Sequence, residues 1–173
     1  MGRPKALLPF QGTTFIHHIL ETVKASALAP VVVVLGGHRQ EIERALPFEV
    51  CAFNPDYEQG MITSLQTGIR SLPAGGDGAM LFLVDHPVTS PQTIVALLAA
   101  FKPHHIVLPT FNGRRGHPVL FSRSVMDEIL ELPPSSGANR VVWKDPSRVV
   151  EVPVDDAGIL VDVDTPEQYG KLS

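Results

Sequence analysis

The chain has 173 residues, with Lys+Arg 14 against Asp+Glu 18 and a formal net charge of -4. That length suits a single domain, 1–173, with a sizeable core, and the acidic balance leaves no basic surplus for a nucleic-acid duplex or an anionic membrane. Cys51 is the only cysteine, which rules out an internal disulfide and a cysteine-built zinc site and favours a reducing compartment.

"MGRPKALLPFQG" opens the chain with a glycine, a proline and a lysine in a segment otherwise short of charge. Gly2 frees the backbone, Pro4 fixes φ, and Lys5 carries a mobile cation, a combination suited to wrapping an anion. From Thr13 onward, Phe15, Ile16, Ile19, Leu20 and Val23 recur at helical spacing behind a threonine cap, so "TTFIHHILETVKASAL" is predicted as a helix. "PVVVVLGG" is a continuous β-branched run, the pattern of a strand covered on both faces. A short helix "RQEIERAL", a strand "FEVCAF", a helix "GMITSLQTGIRSL" and a second doubly covered strand "AMLFLV" follow. In "SPQTIVALLAAF", Ser90 stands as cap and Pro91 at the first helical position; "HHIVLP" is then a strand.

After Pro109 the pattern reads as an insertion: a turn "FNGRRG", a strand "HPVLF", a helix "SRSVMDEILEL" and a loop "PPSSGA". "RVVEVPV" and "ILVDV" are predicted strands separated by the turn "DDAG", and "TPEQYGKL" closes as a helix with Thr165 as cap and Gln168 three residues on. The alternation defines an α/β fold, a Rossmann-like mostly parallel sheet with helices on both faces. No stretch approaches the ~20 apolar residues of a membrane span and the N-terminus has no leader pattern, so the expected location is the cytoplasm, without a membrane partner.

In such sheets ligands bind beyond the carboxyl ends of the strands. Asp85 directly follows "MLFLV", beside His86 and Pro87. Asp162 and Asp164 sit at the end of the last predicted strand, where residues i and i+2 share a face and the two carboxylates can point together. Three oxygen donors from two strand ends suit Mg²⁺; the plainer alternative is that these acids start turns. Asn54, Gly60 and Ser64 cluster around a loop leading into a helix, where an amide, bare backbone and a hydroxyl can read a base edge or a ribose. "NGRRGHPVLF" offers Arg115 and His117 near a basic hairpin tip able to hold an anion.

Taken in order, "MGRPKALLP", "NPDYEQGMITSLQTG", "LFLVDHPVTS", "GRRGHPVLF" and "VPVDDAGILVDVDTPEQY" resemble the MobA-like nucleotidyltransferases, most closely the molybdenum cofactor cytidylyltransferase branch. The resemblance covers nearly the whole chain. It implies transfer of CMP from CTP to the terminal phosphate of molybdopterin with Mg²⁺ and release of pyrophosphate, and a molybdoenzyme or its accessory protein as partner. By the same resemblance Lys5 would contact phosphate and, with Asp85, carry the catalysis. Asp85, Asp162 and Asp164 would hold the metal; Gly2, Lys5, Asn54, Gly60 and Ser64 the nucleotide; His117 and Arg115 the pterin substrate.

Two features depart from the family pattern. Ahead of MGxPK the family carries an apolar strand and an LAAGxSxR loop, so a domain short at its N-terminus and lacking its first central strand is expected here. "PSSGANR" replaces a GDxGAR-like stretch, with Ser135 and Asn139 in the Asp and Arg positions. The alternatives are a related transferase using GTP or another phosphorylated acceptor, and a nucleotide-binding accessory protein with impaired catalysis. No GxGxxG opens a βαβ unit and no Walker A pattern is present.

Overall fold

The computed structural model describes residues 3–47 and 49–172. Gly2 lies outside them. Lys5–Leu7 form a 3-10 turn, followed by a small hairpin of β1 (Pro9–Phe10) and β2 (Thr13–Thr14). Helix α1 (Phe15–Ala25) buries Phe15, Ile16, Ile19, Leu20 and Val23 on one face, the set its apolar spacing predicts. β3 (Val32–Leu35), α2 (Arg39–Ala45) and β4 (Val50–Phe53) make a βαβ unit whose two strands pair in parallel, Val32 against Val50 through Leu35 against Phe53.

Helix α3 (Met61–Ser71) leads to β5 (Gly78–Leu81). Helix α4 (Pro91–Ala99) begins as its sequence predicts: the Ser90 hydroxyl accepts from the Thr93 amide and Pro91 takes the position whose N–H has no helical partner. β6 (Ile106–Phe111), β7 (Arg114–Arg115), β8 (Val119–Ser122) and β9 (Val149–Pro153) then complete a five-stranded sheet in which β5 pairs with β8, β8 with β6, and β6 with both β7 and β9. β6 and β9 are parallel; the β5–β8 and β6–β8 ladders are antiparallel, so the sheet is mixed.

β6 shows how the sheet is covered. Ile106 and Leu108 pack into a core shared with α3 and with α5 (Arg123–Leu130), while Val107, on the opposite face, packs with Leu97 of α4 and Leu120 of β8. Helices therefore lie on both faces, as alternate strand residues facing opposite sides require. Gln66, buried in α3, donates to the carbonyls of Ile129 and Leu132 at the end of α5 and so locks the two helices together without an unpaired amide.

The β3–β4 pair and the five-stranded sheet share no ladder among the described residues. Between them lies a cavity of about 700 Å³, lined by Val31–Val34 on one side and Gly78–Val84 on the other, and covered by Ile16 and Ile19 of α1 and Met61 and Leu65 of α3. This gap explains why two runs predicted as doubly covered strands are only half-buried: Val32, Val33, Val34 and all of β5 face it. It also explains why "AMLFLV" leaves strand geometry after Leu81, where the described residues supply no ladder partner on that side.

Two local expectations are corrected. "ILVDV" is not a strand: Ala157–Leu160 wind into a 3-10 turn and residues 161–164 run as extended coil. The Asp156 carboxylate causes this, accepting from the Gly158 amide in its own turn and from the Ser90 amide and Thr93 hydroxyl across the molecule. Gly158 permits the close approach, since a Cβ there would collide with the Val88 carbonyl. The loop "PPSSGA" is followed by a helix α6 (Asn139–Lys144) that the sequence reading leaves out. The closing helix α7 (Pro166–Gly170) carries the predicted box, with the Thr165 hydroxyl and the Gln168 side chain each serving the other's backbone. No described helix is long and apolar enough to cross a membrane.

Candidate active site

The segment after β5 turns sharply, with the His86 amide donating to the Leu83 carbonyl. The coil after the last 3-10 turn runs beside it, tied by a bond from the Val163 amide to the Asp85 carbonyl at 2.9 Å. Asp85, His86 and Asp162 thereby converge: one ligand atom from each lies within 4.8 Å of the other two. Asp85 and His86 are half-buried and Asp162 is exposed, so the cluster opens to solvent on one side. Asp85 Oδ1 and His86 Nδ1 are buried with no hydrogen-bond partner. Unsatisfied polar atoms of this kind are uncommon in folded chains and cost stability unless a ligand answers them.

The structure separates the two acids expected to act as a pair. Without a strand at 159–163, Asp162 and Asp164 share no ladder face; Asp162 joins Asp85, whereas Asp164 Oδ1 accepts from Lys5 Nζ at 2.7 Å. The Lys5 ammonium holds the Asp164 carboxyl below its usual range, first through that hydrogen bond and then through its charge. Lys5 is placed there by its 3-10 turn, whose Ala6 packs in one cluster with Leu35 at the carboxyl end of β3 and with Val84. The opening loop and the Asp85 turn thus meet at one rim of the fold.

His117 packs behind the cluster, its ring centroid 4.6 Å from that of His86. Its amide donates to the Ile159 carbonyl, which fixes it against the same coil that carries Asp162. Burial, then the charge of His86, push the His117 pKa down to about 4, with Asp162 pulling the other way, so this ring is neutral at physiological pH. Arg115, two residues before His117, is paired with Glu151 of β9 at 2.7 Å.

Asn54 sits between β4 and α3 and is 1 % exposed. Its amide donates to the Thr63 and Ser64 hydroxyls at 2.9 Å each, and its carbonyl accepts from the Asp56 amide. Both ends of the side chain are thus used in shaping the loop 54–60. Gly60, at φ +125°, ends that loop in a conformation closed to most side chains, and it starts α3 without a side-chain cap. In the first turn of α3 the Thr63 amide donates to the Gly60 carbonyl, and no side chain caps the Met61 and Ile62 amides ahead of it. His86 adjoins Asp85 but carries no signal of its own in the sequence as a ligand, and Asp156 carries none either, its partners lying 63 and 66 residues away.

A Rossmann-like α/β fold with carboxylates and a lysine around the carboxyl ends of its strands defines a class of proteins that bind their ligands at that rim. The profile of the MobA-like NTP transferase domain matches residues 1–149, and the chain belongs to that family of nucleotidyltransferases. Nicotine blue oxidoreductase of Paenarthrobacter nicotinovorans is 28% identical over 99% of this chain and 89% of its own length. Molybdenum cofactor cytidylyltransferase of Escherichia coli is 26% identical, covering 98% of this chain and 86% of that protein. Among solved structures, Rv0371c of Mycobacterium tuberculosis, crystallised with manganese, superposes with a TM-score of 0.83 at 29% identity, covering 99% of this chain and 92% of that one.

Proposed function

We propose that this nucleotidyltransferase moves a cytidylyl group from CTP to the terminal phosphate of a molybdopterin-type acceptor. An oxygen of the acceptor phosphate attacks the α-phosphorus of CTP, the bond from that phosphorus to the α–β bridging oxygen breaks, and pyrophosphate leaves. Such a transfer needs alignment and charge neutralisation rather than a protein nucleophile.

The reading rests above all on one juxtaposition: Asp85 and Asp162 beside each other at the same rim as the Lys5–Asp164 pair. The buried, unpartnered Asp85 Oδ1 fits a divalent cation, which when bound neutralises phosphate charge and orients the triphosphate. Lys5 exchanges Asp164 for a phosphate oxygen, a step eased by the exposure of Asp164. Asn54 holds the loop from which the Ser64 hydroxyl and the Gly60 backbone face the nucleotide. Neutral His117 and Arg115 line the acceptor side.

The test is transfer of ³²P from each of the four α-labelled nucleoside triphosphates to molybdopterin, with divalent cation present. The proposal expects labelled product from CTP. Label from GTP alone overturns the base assignment, and no acceptor-bound label from any nucleotide overturns the proposed reaction.

A further inference from the structure

We propose that His86 is a nitrogen ligand of the bound cation and sets its identity, making the centre select Mn²⁺ over Mg²⁺. The inference rests on the carboxylate centre proposed above and concerns which ion it accepts. The donor set differs from the all-oxygen set that the sequence suggests: two carboxylates come with one imidazole, and Asp164 is engaged by Lys5 instead. Mg²⁺ favours oxygen ligands and binds imidazole weakly, whereas first-row transition ions accept carboxylate and imidazole together.

The geometry suits coordination by all three residues. Donor atoms on one octahedral ion lie no further apart than about twice the bond length, roughly 4.2 Å for a 2.1 Å bond. The three donors here already stand within 4.8 Å of one another, so small side-chain rotations close the set. His86 is also held in place before any ion arrives. Its amide is bonded to Leu83, its ring is backed by His117 at 4.6 Å, and its buried Nδ1 has no protein partner. Asp85 Oδ1 is equally unpartnered on the other side of the cluster.

The experiment uses the whole chain, without nucleotide and again with CTP. Mn²⁺ binding is followed by loss of the free-ion electron paramagnetic resonance signal, and Mg²⁺ binding by competition. Wild type is expected to bind Mn²⁺ at least about tenfold more tightly than Mg²⁺, and pulsed spectra of the Mn²⁺ complex to show coupling to a directly bound ¹⁴N. His86→Gln, which offers an amide oxygen in place of the nitrogen, should lose that coupling and most of the Mn²⁺ preference while keeping Mg²⁺ binding. An Mn²⁺ complex of wild type without ¹⁴N coupling overturns the proposal, and so does His86→Gln with unchanged coupling. Asp85→Asn separates the two levels of the argument. If it loses both ions while His86→Gln alters nothing, only the role of His86 fails; if it binds both as wild type does, or wild type binds neither ion with or without CTP, the carboxylate centre itself fails.

Discussion

Lys5 Nζ donates to Asp164 Oδ1 at 2.7 Å across 159 residues of sequence, closing the opening loop onto the segment that follows the last 3-10 turn. The pair leaves Asp164 largely in water, so it is a contact that can be exchanged, as the phosphate role proposed for Lys5 requires.

Lys5→Ala is therefore expected to weaken CTP binding about tenfold or more, the range of a lost charge-assisted hydrogen bond. Since Lys5 and Asp164 act at one contact, the double variant Lys5→Ala/Asp164→Asn should bind no worse than Lys5→Ala alone. Isothermal titration of the variants checks both statements, and equal affinity of Lys5→Ala and wild type would remove the lysine from the phosphate site.

Asn54 carries a different kind of prediction, because its side chain is fully enclosed and bonded at both ends. Asn54→Ala leaves the Asp56 amide without its acceptor and removes a tie to two hydroxyls of α3. Urea denaturation should register a loss of roughly 2 kcal/mol, with nucleotide affinity falling as the loop loosens. A variant as stable as wild type would show the loop to be held by other contacts.

Glu128 of α5 accepts from Arg148 and, at 3.0 Å, from Lys144, joining α5, α6 and the turn before β9. Arg148, chiefly by hydrogen bonding, holds the Glu128 carboxyl below its usual range. A carboxylate whose folded-state pKa is depressed contributes stability above its unfolded value of about 4.3 and loses it as pH falls through the folded value. Glu128→Gln should thus cost roughly 1 kcal/mol at pH 7, with the gap to wild type closing below about pH 4. Melting curves of both proteins across that range test it; a constant gap would deny the linkage.

The cavity between β3 and β5 presents two strand edges and an apolar lining, the surroundings of one further strand. Extending the chain ahead of Met1 by a short linker and ~5 β-branched residues should fill it, since globular strands are about that long. The Lys5–Leu7 turn already packs against the carboxyl ends of the flanking strands, so an extension running back from it would lie parallel to β3. Stabilisation of about 2 kcal/mol would raise Tm by roughly 4–8 °C, and a Gly/Ser extension of equal length should give no rise. Equal melting of the two extended chains would mean the slot does not accept a strand.

Local signals were legible in the sequence because their causes are local. The apolar stripe of α1, the Ser90 and Thr165 caps and the position of Asp85 after a strand each follow from residues within a few places of one another. What the sequence hid depends on distant partners. Asp156 reaches Ser90 and Thr93, and this bends "ILVDV" out of the strand its composition favours, parting Asp162 from Asp164. His86 reads as one ordinary polar residue in "LFLVDHPVTS" until the fold sets Asp162 beside it and His117 against its ring. The half-burial of β3 and β5 was equally hidden, since a β-branched run specifies a preference for cover and not whether a neighbour supplies it.

The central claim is that nucleotidyl transfer takes place at the Asp85 cluster, and Asp85→Asn tests it most directly. With α-labelled CTP, molybdopterin and divalent cation, the variant should transfer label at least ~10²-fold more slowly than wild type while its circular dichroism and Tm stay unchanged. Transfer at the wild-type rate by a folded Asp85→Asn protein would contradict the account.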